Sequence, residues 1–298
     1  PPASSPLRRE GGIRSVGALH QIGVIALLTF HEARRRWLLW LGLGLGIVFV
    51  ALFATGFYFA YQDYTRNNDG IAQRALTDVF ANTFLMAGLY VVNFLVVMIS
   101  VLTSVGAISS EIDSNTIHTI AAKPIRRWHV VLGKWAGLAT MLTLYTVLMA
   151  SGLMIATLAI SGYAPPNPLG GIAILILEAL ATLSLTLFGS SLLSTLANGI
   201  VAFMLYGLAF VGGWAEQIGV ILGSDTAQYI GIATSLLMPS EGLWRYAATL
   251  MQPTNPLAMG VTPFSVVSQP TPAFVTYAAI YTLALLLGTM AVFSRRDF

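Results

Sequence analysis

Charged residues are missing from five long runs of the chain: Trp37 to Gln62, Val79 to Ser110, Trp135 to Leu177, Ala179 to Ala215 and Tyr246 to Ser294. A helix needs about 20 apolar residues to cross the hydrocarbon core of a bilayer, so runs of this length predict membrane spans. The third run is broken by SGYAPPNPLGG (161–171), whose prolines and glycines cannot continue a helix. The fourth carries STLANG (194–199), a small polar patch placed for a tight helical hairpin. Six spans are therefore expected, near 37–61, 84–107, 131–160, 171–193, 199–222 and 273–293.

Two further segments read as helices that do not span. Ahead of the first run, Leu19, Ile22, Ile25, Ala26 and Leu28 or Thr29 recur at helical spacing and end in a cluster of His31, Glu32 and Arg34 to Arg36. This suits an elbow helix lying in the interface; the plainer reading makes it the start of the first span. Between 223 and 272 lie TAQYIGIATSLLM and PSEGLWRYAATLM, each too short to span, with Ser240 placed to cap the second. They are expected to be re-entrant or surface helices.

Composition agrees with the pattern. The chain has 298 residues, 56% hydrophobic and 9% charged, with a mean hydropathy of +0.77, far more apolar than a soluble core of this length needs. Its charge orients it, because lysine and arginine stay on the cytoplasmic side. With the N-terminus inside, the inner set is Arg8, Arg9, Arg14, Arg34, Arg35, Arg36, Lys123, Arg126, Arg127, Lys134, Arg295 and Arg296; Arg66, Arg74 and Arg245 fall outside. Twelve of 15 basic residues thus favour both termini in the cytoplasm; the expected location is the plasma (inner) membrane. The net charge of +3 needs no nucleic acid. The Pro-rich start, residues 1–15, lacks an apolar core and is expected to be a disordered cytoplasmic tail rather than a signal peptide. Residues 16–298 form one domain.

Several kinds of chemistry find no support. Zero cysteines exclude disulfides and thiolate metal sites, and His20, His31, His118 and His129 lack zinc-type partners at i+3 or i+4, so no metal site is expected. No G-x-x-x-x-G-K-[ST] occurs; the Gly133–Lys134 pair lacks the preceding glycine and the hydroxyl residue. No G-x-S-x-G is present either, so there is no catalytic set. The six tryptophans mostly fall near span boundaries, as interface anchors do.

Three features invite function. Glu178 and Glu216 interrupt apolar spans, which makes them candidates for a translocation path; Glu216 is close enough to the interface for solvation. Gly42 and Gly46 are one turn apart, and so are Ala209 and Gly213, the small-xxx-small spacing of a dimer seam. The third is a polar island, EIDSNTIHTIAAKPIRRWHVVLGK (111–134), which carries six charges and two histidines. Because the 32 residues from Val79 to Ser110 would extend about 48 Å as helix against a core of about 30 Å, the second span is expected to protrude into the cytoplasm and deliver this island there. Acids lead it, a short amphipathic segment with Ile117 and Ile120 follows, and Pro124 turns it back with bases.

That order resembles the permease subunits of type-2 ABC exporters: an acidic residue (Glu111, Asp113), a small polar pair (Asn115–Thr116), an apolar stretch (Ile117, Ile120), a proline with basic residues (Pro124, Arg126, Arg127) and Gly133–Lys134. Asn115 stands where glycine is commoner. The closing FSRRDF (293–298) is also similar to that family's tail, and so is the whole organisation of elbow helix, six spans, long outer segment and cytoplasmic ends. The resemblance implies an all-α membrane protein whose island is a coupling helix. Its contacts to an ABC ATPase subunit would be Glu111, Asp113, Thr116, His118, Lys123, Arg126 and Arg127. It also implies a second permease copy and membrane lipids as partners, with ATP and Mg bound by the ATPase subunit and no cofactor in this chain. The runner-up is a non-transporting scaffold or sensor that anchors a cytoplasmic or outer-face partner. Nothing in the sequence selects a cargo.

Overall fold

The computed structural model of the chain describes residues 20–31, 37–66, 73–109, 127–253, 266 and 268–295. Among these the regular structure is all helix, joined by turns and short connections, without strands. A short helix, α1 (His20–His31), precedes α2 (Trp37–Arg66), α3 (Gln73–Ser104), α4 (Arg127–Ser161), α5 (Pro168–Leu192) and α6 (Thr195–Leu222). Then come α7 (Asp225–Leu237), α8 (Ser240–Met251) and α9 (Pro272–Arg295). Six of these, α2 to α6 and α9, are long and apolar enough to cross a membrane, and the chain is a multi-pass membrane protein.

The breaks between spans follow local chemistry. Gly162 takes φ +73° directly after α4, a left-handed conformation that glycine adopts without cost. Asn167 then caps α5, its side chain accepting from Gly170 N–H at 2.9 Å with Pro168 in the first turn. The hairpin from α5 to α6 is tighter than the sequence suggests. Only Leu193 and Ser194, both extended, separate the helices, and most of STLANG already belongs to α6.

Two expectations change. The second span is a 32-residue helix, but it begins at Gln73 and stops at Ser104, where tight turns occupy 105–108. The extra length therefore lies at the helix start rather than towards the island. Ser240 does not cap α8: Pro239 holds that position, and the Ser240 hydroxyl is buried in the first turn without a hydrogen-bond partner. The two short helices themselves are present as expected.

The core is built chiefly from α3, α4 and α5, through Leu85, Leu89, Leu142, Met149, Leu153, Leu175, Leu183 and Leu187. The rings of Phe53, Phe57, Phe80 and Phe84 pack α2 on α3, with centroids 5.5–6.5 Å apart. Helix α2 is only 17% buried over its apolar window and α6 only 28%. Their outward rows, such as Leu41, Leu45 and Leu52 on α2, are surface that a bilayer covers.

Candidate functional site

The bundle carries polar clusters at both ends. At the first end, the close of α3, the starts of α4 and α6, the close of α5, and α1 come together. The turns at 105–108 leave backbone groups without helical partners, and side chains from three other helices satisfy them. Lys134 of α4, itself buried, donates its ammonium to the Ala107 carbonyl. Ser190 of α5 accepts from the amides of Ile108 (3.1 Å) and Ser109 (3.0 Å). Asn198 of α6 donates to the Val105 and Thr186 carbonyls, both at 2.9 Å, and the Ser109 and Thr195 hydroxyls meet at 2.7 Å. Irregular backbone at the edge of a membrane bundle is tolerated where such partners exist. The chain therefore leaves α3 at a point pinned simultaneously to α4, α5 and α6.

Helix α1 docks beside this point. A side chain at Gly137 would come within 2.6 Å of the Ala26 carbonyl oxygen and 2.9 Å of Thr29, and one at Gly133 would meet Ile25. The Gly133/Gly137 spacing thus lets α1 approach the α4 backbone. His129 and Gln21 add a hydrogen bond at 2.9 Å.

At the opposite end, α6 turns through Gly223 (φ +68°) into α7, which lies back along it. Gly212, Gly219 and Gly231 let the two helices approach closely. Tyr281 of α9 donates to the Leu237 carbonyl at 2.8 Å and Tyr277 to that of Leu236, capping α7. Helix α8 inserts between α5 and α6. Its Arg245, 2% exposed, grips both carboxylate oxygens of Glu216 on α6 at 2.7 and 2.8 Å, while Ser268 donates its hydroxyl to Glu216 and accepts from Arg245 through its carbonyl. Glu216 is therefore a buried, paired carboxylate rather than a solvated one. Glu241, also on α8, is pushed up to about 7 by burial, opposed by Arg245 and reinforced by Glu216.

Glu178 lies ten residues past Pro168, about 15 Å along α5, and is fully buried. Neither carboxyl oxygen has a hydrogen-bond partner. Asn93 of α3 is beside it, and the acid within electrostatic reach is Glu241, not Glu216.

The other sequence candidates fall as follows. Glu111, Asp113, Thr116, His118, Lys123 and Arg126 lie outside the described residues, and only the backbone of Arg127 is described, as the first residue of α4. Gly42, Gly46, Ala209 and Gly213 are all buried within the chain. Gly42 faces Ile99, Gly46 faces Met149 and Tyr145, and Gly213 faces Glu241, so these small residues admit neighbours from the same protomer. Ser190, Asn198 and Arg245 escaped the sequence reading as site residues. The signal for Lys134 was its place after Gly133, and for Asn198 its place in a polar patch inside an apolar run.

A short helix ahead of six spans, with two further short helices before the last span, is the frame that the sequence resemblance implied. The family model for ABC-2 family transporter protein matches residues 24–298. The chain belongs to this family. No curated protein matches it. In an ABC-2 transporter, the permease is the membrane subunit, and ATP is handled by a separate ABC ATPase.

Proposed function

We propose that this ABC-2 protein is the permease subunit of an ATP-driven exporter, working as two copies with two ATPase subunits in the plasma membrane, both termini and the 105–134 end being cytoplasmic. The ATPase would bind ATP and Mg and grip the coupling segment through Glu111, Asp113, Thr116, His118, Lys123, Arg126 and Arg127. One observation carries the reading: the backbone leading into that segment is pinned by Lys134, Ser190 and Asn198 to three spans at once. A push on the segment therefore reaches α4, α5 and α6 together, as the rigid-body rocking of alternating access requires. Glu178 is assigned to the translocation path, and Glu216 to holding α8 in place.

Glu111→Ala or Arg126→Ala should uncouple ATP turnover from export without unfolding the bundle. Full ATP-dependent export by both variants would reject the coupling role. A second reading, a scaffold or sensor without transport, draws on α7, whose Tyr229, Ile230 and Leu236 are turned outward at the opposite end. In that case no substrate would move while a partner still bound.

A further inference from the structure

Three acids and one base are buried where α8 enters the bundle. Glu178 is 0%, Glu241 4%, Glu216 7% and Arg245 2% exposed. The arginine is engaged with both oxygens of Glu216. Glu178 keeps two oxygens without a partner, and the adjoining Asn93, 3% exposed, keeps its side-chain oxygen without one too. Buried polar atoms are nearly always satisfied, so three orphan acceptors on two neighbouring side chains mark a place that awaits positive charge.

The surroundings decide what kind. On the same face of α3 as Asn93, Tyr90 and Phe94 meet α6: Tyr90 is 6.4 Å from Phe210 and Phe94 is 6.1 Å from Tyr206, ring to ring. Trp244 of α8 closes on Tyr90 edge-on at 5.1 Å. Tyr90 and Tyr206 are both within electrostatic reach of Glu178. A small hard metal ion takes a shell of six or more oxygens, and rings cannot supply one. Aromatic faces around a carboxylate instead suit a weakly hydrated organic cation, through cation–π attraction and charge.

We infer that Glu178 and Asn93, with the rings of Tyr90, Tyr206 and Trp244, form a binding site for a lipophilic organic cation, a quaternary or protonated amine carrying apolar groups. The site is shut in this conformation. Its wall between α3 and α6 is tilted ring pairs, and the outer members of that wall, Phe94 (45% exposed) and Phe210 (38%), open onto the bilayer-facing surface. A cation that partitions into the membrane thus reaches the site by parting these rings. That this ligand is also the cargo rests on the transport reading above; the binding itself does not.

The test uses the purified full chain in detergent, with tetraphenylphosphonium as probe and neutral triphenylphosphine oxide as control, read by equilibrium dialysis. The wild type is expected to bind the cation saturably, and Glu178→Gln, which keeps the shape, to weaken it about tenfold or more, the size of losing one charged contact. Tyr206→Ala is expected to weaken it roughly threefold to tenfold. Both variants should elute as the wild type does and keep their affinity for the neutral control. Absence of saturable binding by the wild type, or affinities for Glu178→Gln and Tyr206→Ala within twofold of it, would overturn the site and leave the carboxyl only a proton. A chain that binds the probe but never moves it under ATP would overturn only its assignment as cargo; a working pump indifferent to Glu178→Gln would overturn the place of Glu178 in the translocation path and leave the binding to the dialysis result.

Discussion

Removing Arg245 is the perturbation whose size follows most directly from the structure. The guanidinium is 2% exposed and makes two short contacts to a carboxylate whose side chain is 9% exposed. In Arg245→Ala, Glu216 keeps the Ser268 hydroxyl but loses its counter-charge, and an uncompensated buried charge costs about 3–5 kcal/mol. The loss falls on α8, because the pair joins α8 to α6 while the spans keep their own packing. Local opening of 240–251 should therefore rise by roughly two to three orders of magnitude, since each 1.4 kcal/mol is a factor of ten. Hydrogen exchange measured by mass spectrometry on peptides from 225–251, against peptides from α3 and α4 as internal reference, reads this directly. The double substitution Arg245→Met with Glu216→Met removes both charges and should recover most of the protection, because breaking a buried pair is worse than deleting it. The reasoning is wrong if Arg245→Ala exchanges within threefold of wild type, or if the double variant is no better than the single.

Three other outcomes are expected. Glu241 has its proton affinity raised by burial, so the folded state holds that proton more tightly than the unfolded one. Its contribution to stability is intact below the ordinary carboxyl range and is lost as pH climbs to about 7, a fall of roughly 3 kcal/mol; thermal melts from pH 4.5 to 8 should show a steeper slope in the wild type than in Glu241→Gln, and equal slopes would refute the assignment. Gly137→Leu drives a side chain against the Ala26 carbonyl and should lift α1 off α4 at a cost of roughly 1–3 kcal/mol, seen as faster proteolysis within 20–31. Lys134→Met with Ser190→Ala leaves the backbone of 107–109 without its side-chain partners, each lost partner costing about 1–3 kcal/mol, and should lower coupled ATP turnover in a complex that still assembles; unchanged turnover would remove these residues from the coupling path.

Span number and the elbow helix were legible in the sequence because apolar length, proline-rich turns and helical spacing are local signals. The end of α3 was not. Nothing within 79–110 announces a break at Ser104, since the break is stabilised by Lys134, Ser190 and Asn198, which are distant in sequence and supply the partners that the turns need. The small residues were only half legible for a related reason. Spacing shows that Gly42 and Gly46 admit a close neighbour, but not that the neighbours are Ile99 and Met149 of the same chain. Glu178 stood out as an acid in an apolar run, whereas the pairing of Glu216 with Arg245 joins α6 to a short helix 29 residues further on, a distance at which sequence periodicity carries no information.

The account stands or falls on an ATPase gripping the island between α3 and α4. The most direct measurement is to extract the protein gently from its native membrane, through a tag at the C-terminus, and to identify by mass what copurifies with the wild type and with Glu111→Ala/Arg126→Ala. The account predicts a stoichiometric partner carrying a Walker A motif that is lost from the double variant while the permease itself remains folded. Finding no ATPase, or one retained equally by both forms, would contradict it.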